Sequence, residues 1–180
     1  MQDDVGRIRS TPLRIERAAV ADIAEAVAVQ HRAFMRVARW LGLEDATQLD
    51  PIAESADEVE RLVAEGTATV LVARLDTGDA APIVGTVRGQ AGSDGSVEVG
   101  RLAVDDGLEG RGIGRALMEA IEVQYPDARR FVLFTGRDAA GPIHLYDSLG
   151  YRIVEEREFR LDLFLVWMEK CRTPRVDSTP

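Results

Sequence analysis

Cysteine is nearly missing from this chain: Cys171 is the only one in 180 residues. That excludes an internal disulfide framework and leaves a thiolate zinc site without ligands. There are only two histidines, His31 and His144, and their wide separation spells out no metal-ligand cluster. Aromatic residues make up 6% of the sequence, too few and too scattered for a base-stacking platform. Positive charge is in deficit, with 22 Lys and Arg against 31 Asp and Glu for a net charge of -9, which argues against nucleic-acid binding by phosphate neutralisation. The longest strongly apolar stretch, Phe164-Leu165-Val166-Trp167-Met168, is far too short to span a bilayer. The first ten residues mix both charge signs and do not read as a signal peptide. No Gly-x-Ser-x-Gly elbow offers a serine nucleophile. What remains fits a cytoplasmic, soluble, single-domain protein whose 46% hydrophobic content is ordinary for a globular chain.

Helical and strand patterns interleave along the chain. Residues 13–16 alternate as a short strand, and residues 20–37 place Ile23, Val27, Phe34 and Val37 at helical spacing. Ser55, with Glu58 three positions on, forms a capping box ahead of Val59, Leu62 and Val63, and Gly66 should stop that helix. Residues 69–74 and 83–88 are rich in β-formers and flank a turn at 76–79, so they read as a hairpin. A strand over 97–104 and a helix over 111–124 follow, the latter closed by Pro126. The unbroken apolar run 131–135 reads as a strand inside a sheet. A short helix over 143–149 stops at Gly150, and strands over 151–154 and 159–168 end the pattern. Between those two, Glu155-Glu156-Arg157-Glu158 reads as a solvated turn. The domain is expected over 11–170, with flexible termini at 1–10 and 171–180.

The most informative segment is Glu109-Gly110-Arg111-Gly112-Ile113-Gly114-Arg115, between a strand and a helix. Glycines let backbone approach a ligand closely, and the first helical turn has unpaired N–H groups beside the positive end of the helix dipole. Together they suit an anion such as a pyrophosphate, with Arg111 and Arg115 adding charge. A Walker A loop is excluded because no lysine precedes Lys170. A Rossmann fingerprint is excluded because Leu117 stands where its third glycine belongs.

Gly100-Arg101-Leu102-Ala103-Val104, then five residues, then Gly110-Arg111-Gly112-Ile113-Gly114 resembles the acyl-CoA-binding motif of the GNAT N-acetyltransferase superfamily. Ile143-His144-Leu145-Tyr146-Asp147-Ser148-Leu149-Gly150-Tyr151 resembles its second signature. The resemblance implies an α/β fold whose mixed, mostly antiparallel central sheet has about seven strands flanked by four helices and splays between strands four and five. It implies acetyl-CoA as co-substrate, with Leu102, Ala103 and Val104 along the pantetheine arm and the amides of Glu109, Gly110, Arg111, Gly112, Ile113, Gly114 and Arg115 around the pyrophosphate. No metal is implied. The N–H of Val104 is the donor to the thioester oxygen, a contact typically worth about 3 kcal/mol of barrier. Two residues depart from the motifs. Glu109 puts an anion beside the proposed anion site, so it must point away or pair with an arginine. Pro142 stands where an Asn is common.

The resemblance also implies direct attack of an amine on the thioester in a ternary complex. Tyr146 is then the acid or hydrogen-bond donor at the sulfur, and Glu98 the candidate base, acting through water. Each has a plain alternative, a packed ring for Tyr146 and a solvated sheet residue for Glu98. The acceptor pocket is expected around the end of the first helix and the following loop, over 34–55, which includes His31's helix, Trp40, Leu41, Leu43, Glu44, Asp45 and Asp50. Trp40 reads better as packing the helix end. The acceptor is a small-molecule or peptide amine, with protein lysine also open and no nucleic acid or membrane partner. A non-catalytic acyl-CoA-binding module is the alternative function. An apolar edge strand over 159–168 would support a homodimer.

Overall fold

The computed structural model describes residues 12–75, 81–160 and 163–172. Its elements are β1 (Leu13–Arg17), α1 (Val20–Trp40), a 3-10 turn (Ala46–Gln48), α2 (Asp50–Ala53), α3 (Ala56–Ala64), β2 (Ala68–Leu75), β3 (Ile83–Ala91), β4 (Ser96–Val104), α4 (Ile113–Val123), β5 (Arg130–Gly136), α5 (Ala140–Ser148), β6 (Arg152–Arg160) and β7 (Leu163–Cys171). The seven strands pair in the order β1-β2-β3-β4-β5-β7-β6. Strands β4 and β5 run parallel, while β1 with β2, β5 with β7 and β7 with β6 run antiparallel. This is the expected mixed sheet. The extra helix is the four-residue α2, too short to leave a hydrophobic period in the sequence. The capping box forms as expected, Ser55 and Glu58 exchanging side-chain and backbone hydrogen bonds at the start of α3. The expected turn at 76–79 lies outside the described residues.

The parallel ladder is short. It joins Ser96 to Arg130, Val97 to Phe131 and Glu98 to Val132, after which Val99 and Gly100 continue β4 without a partner on β5. The strand therefore departs from its neighbour in the middle, as the splayed sheet requires.

The chain divides into two compact units, one running to Arg88 and including Arg101–Gln124, the other comprising Gly89–Gly100 and the chain from Tyr125. In the first, α1 is amphipathic. Its Ala26, Val29 and Ala33 pack with Val72, Ile83 and Ala103 of the sheet, while Ile23 and Val27 pack with Val59 and Val70. Helix α4 buries Ile113, Leu117, Met118 and Ile121. Its approach to β3 is set by Gly85, where a Cβ would stand 3.0 Å from Leu117, 3.1 Å from the Ala103 carbonyl and 3.1 Å from Ile113. In the second unit Phe131 and Leu133 of β5 and Val166 and Met168 of β7 alternate inward and are buried, the period-two pattern of a half-buried strand.

Two expectations are corrected in this second unit. Strand β7 is interior, paired with β5 on one side and β6 on the other, so the segment 159–168 is not an edge strand. Phe159 belongs to β6, which is the true edge. The run Glu155-Glu156-Arg157-Glu158 lies inside β6 rather than in a turn. Every residue from Arg152 to Phe159 is exposed, and the charges hide strand periodicity while blunting the edge against further pairing. Arg157 pairs with Glu155, and Arg137 with Glu156. The homodimer argument from β7 loses its premise. At the C-terminal boundary, Cys171 pairs with Arg130 as the last residue of β7; residues 1–11 and 173–180 lie outside the described residues. Among the described residues no helix is long and apolar enough to cross a membrane.

The closeness at Gly85 gives a stability test. Gly85→Ala must displace α4 by a few tenths of an ångström or force side chains off rotamer, and it should cost about 1–3 kcal/mol, read as a lower urea midpoint.

Candidate active site

The glycine-rich segment folds as its composition demands. Gly107, Gly110 and Gly112 all have positive φ, at 74°, 71° and 85°, and Gly112 is the N-cap of α4. A glycine cap has no side-chain oxygen, and neither a side-chain cap nor an acidic residue occupies the first turn. The first turn of α4, at the positive end of the helix, therefore has neither a side-chain cap nor a carboxylate of its own. A Cβ at Gly110 or Gly112 would meet nothing within 4 Å, so space outside both backbones is open to a ligand. Arg111 and Arg115 flank this turn and are exposed, Arg115 reaching Glu119 at 3.7 Å. Ile113 is buried and anchors the turn, with Gly114 half-buried behind it.

Helix α1 holds the approach to this turn. Arg32 makes a two-pronged contact with Asp105, at 2.9 and 3.0 Å. One turn on, Arg36 donates to the Val104 carbonyl at 3.2 Å and pairs with Glu109 at 2.8 Å and with Asp106. Glu109 therefore pairs with an arginine, one of the two placements expected of it. Leu102 and Val104 are half-buried and Ala103 is buried, so β4 enters the segment firmly seated. The sequence contained a signal for this tether, arginines at 32, 36 and 39 on one helical stripe, and it was not used.

Upstream on β4 lies a second cluster that the sequence reading missed. Arg101 is the sole described non-glycine residue with positive φ, at 57°, a conformation that costs an ordinary residue roughly 1–2 kcal/mol. Its Nε lies 3.4 Å from Glu54 Oε2, while Arg88 Nη1 donates to Glu54 Oε1 at 2.6 Å. Gln30 Nε2 bridges Glu54 Oε2 and the Pro51 carbonyl, at 3.1 and 2.8 Å, and His31 Nε2 contacts the Glu54 carbonyl at 2.9 Å. Glu54 occupies the bend between α2 and α3. Its burial raises the carboxyl pKa, but hydrogen bonds from Arg88 and Gln30 and the charges of Arg88 and Arg101 outweigh that and hold it below its ordinary value. Glu54 is an ionised anchor and a poor base at neutral pH.

The remaining expected residues separate. Glu98 is exposed on β4 between buried Val97 and Val99. Tyr146, on α5, is 8% exposed and its ring centroid lies 6.0 Å from that of Tyr151. Its hydroxyl has no hydrogen-bond partner among the described residues, and burial pushes its pKa up to about 12. Pro142 falls in the first turn of α5, where a missing N–H costs no intrahelical bond. His144, Glu44, Asp45 and Asp50 are exposed, and Leu41 and Leu43 half-buried; Asp45 caps the 3-10 turn through Thr47. Trp40 is 62% exposed, so it does not pack the helix end as expected: α1 runs three residues beyond Val37 and carries the ring into solvent. No group of three or more His, Cys, Asp or Glu that could hold a metal occurs among the described residues.

A family model described as acetyltransferase (GNAT) domain matches residues 66–153. Over those residues the chain is similar to a GNAT domain. The match takes in β2 to β5, the glycine-rich turn and Tyr146, whereas α1 and Glu54 lie outside it. Solved structures with the same fold include the PaiA N-acetyltransferase of Thermoplasma acidophilum in complex with coenzyme A, 17% identical over 89% of this chain and 99% of that one, TM-score 0.70. They include also YncA of Salmonella typhimurium, described as a putative acetyltransferase with its cofactor acetyl-CoA, 19% identical over 88% and 93%, TM-score 0.68. The ribosomal-protein-S18-alanine N-acetyltransferase of Escherichia coli is 16% identical over 94% and 99%, TM-score 0.67. A search of curated proteins returns no match. At such identities the likeness is one of GNAT fold.

Two measurements probe this geometry. In a phenolate titration, one of the three tyrosines should ionise near 12 instead of 10, and Tyr146→Phe should remove that step. An unfolded phenol ionises at about 10. Stability is therefore held up to about that pH and falls as pH rises toward the folded value, a loss absent from the Phe variant. For the tether, Arg36→Ala should weaken coenzyme A binding about tenfold, measured by calorimetry, and adding Glu109→Gln should restore part of it by removing the anion that Arg36 neutralises.

Proposed function

We propose that this chain is an N-acetyltransferase moving an acetyl group from acetyl-CoA to a primary amine by direct attack. The observation that carries the reading is the start of α4: glycines of positive φ, no side-chain cap and no acid in the first turn, an arrangement that favours a pyrophosphate. The coenzyme A and acetyl-CoA bound in the Thermoplasma and Salmonella structures support the choice of ligand. In this reading the backbone of Leu102 and Val104 pairs with the pantetheine arm as an added strand would, and the amides from Glu109 to Arg115 hold the phosphates.

The chemistry follows from the bonds exchanged. The neutral amine forms a C–N bond to the thioester carbonyl, and the Val104 N–H bonds the oxygen on which charge develops. Collapse breaks the C–S bond. Tyr146 serves the departing sulfur. Its pKa of about 12 lies above that of an ordinary thiol, about 8.5, which makes the phenol a hydrogen-bond donor to the thiolate more readily than a full proton donor. Glu98, with its exposed carboxylate, takes the amine proton through water.

Calorimetric titration of acetyl-CoA, followed by thiol release with a panel of amines, tests the reading. Saturable binding, loss of binding in Gly112→Glu, and turnover reduced about a hundredfold in Tyr146→Phe are expected. Absence of acetyl-CoA binding to the parent protein overturns it. Tight binding with no thiol release for any amine, and no effect of Tyr146→Phe, gives the non-catalytic module instead.

A further inference from the structure

We propose that the acceptor amine carries a carboxylate, and that Arg88 and Arg101 bind it; this rests on the transferase reading above. The argument begins from charge. Arg88, Arg101 and Glu54 have side chains only 11%, 17% and 12% exposed, so two largely buried guanidiniums share one carboxylate. The protein as a whole is strongly acidic, at -9, yet this cluster carries one positive charge in excess. A partly buried cation without its own counter-ion is costly, and the excess equals the charge of one further carboxylate.

Geometry points the same way. Each guanidinium meets Glu54 through one nitrogen only, Nη1 of Arg88 at 2.6 Å and Nε of Arg101 at 3.4 Å. The other nitrogens, Nε and Nη2 of Arg88 and both Nη of Arg101, have no acceptor among the described residues. A planar guanidinium with open N–H groups is suited to a two-point contact with a carboxylate. Glu54 itself is fixed by Gln30, which is 4% exposed, so the open donors are not satisfied by a swing of that carboxylate. The left-handed backbone of Arg101 is what a strand residue adopts only when its surroundings impose it, and here it delivers a cation to the cluster.

Position completes the argument. Arg101 precedes Val104 by three residues on one strand, a span of at most about 10 Å. Val104 is the proposed donor to the reacting carbonyl. An amino acid held by its carboxylate at Arg101 and Arg88 would then present its amine beside the strand that carries that donor. The single excess charge favours a carboxylate over a phosphate dianion.

The test compares matched amines in the acetyl-CoA assay: β-alanine with propylamine, γ-aminobutyrate with butylamine, L-amino acids with their carboxamides, and O-phosphoethanolamine as the phosphate probe. The carboxylate members should have kcat/KM at least a hundredfold above their neutral partners. Arg101→Gln should raise KM for them about a hundredfold and affect propylamine far less, with Arg101→Lys intermediate. A purely structural role would depress all amines alike. Equal or better use of the amides, alkylamines or phosphate probe overturns the proposal, as does a uniform loss in Arg101→Gln. Heat released on titrating succinate into the protein, abolished in Arg88→Gln or Arg101→Gln that still melt cooperatively, reads the site without catalysis. If no amine is acetylated, succinate binding at these arginines upholds the carboxylate site while the transferase reading fails; its absence overturns the site as well.

Discussion

An anion site made of backbone amides works only if the backbone arriving at it is held still. Amides at a helix start supply direction and partial charge, but a glycine-rich approach has the largest conformational freedom of any sequence. In this protein the glycine-rich approach to α4 is restrained by α1. Arg32 grips Asp105, and Arg36 holds the Val104 carbonyl, Asp106 and Glu109, covering both ends of the approach. These pairs are part-exposed, and as isolated surface contacts each is worth little. Their effect lies in being four contacts from two neighbouring turns of one helix to one short segment, where fixing any one lowers the entropy lost in making the next.

The same helix reaches the Glu54 cluster. Gln30 and His31 join α1 to the bend at Glu54, immediately before Arg32 and within two turns of Arg36. Its inward face packs on β2, β3 and β4 through Ala26, Val29 and Ala33. One rigid element thus takes part in the core, the ionic cluster and the tether, and the last two adjoin along the helix at His31 and Arg32.

Much of this architecture was legible in the sequence because the signals were local. The capping box at Ser55 and Glu58, the apolar stripe of α4 and the alternation in β5 are each decided within a few residues, and the glycines at 110 and 112 announce a left-handed backbone by composition. What was not legible was decided at long range. Arg88 reads as an ordinary polar residue near a strand end until Glu54, 34 positions away, is seen to meet it. Arg101 carries no sign of its left-handed φ, since that follows from packing and pairing. The division between β6 and β7 was misplaced because β6 is exposed along nearly its whole length, which removes the inside-outside alternation that marks a strand. Trp40 was misjudged from the general habit of large rings to be covered.

Gly85 shows how a site can be dimensioned by a residue that never meets its ligand. A helix this short transmits a push at its flank as a rigid rod, and α4 touches β3 where Leu117 and Ile113 close on Gly85. Ile113 is also the first residue of the helix, next to the amides that face outward. Clearance in the interior and placement of the start of α4 are therefore one quantity: a single missing methyl group on the sheet acts as the gauge against which the first turn of the helix is set.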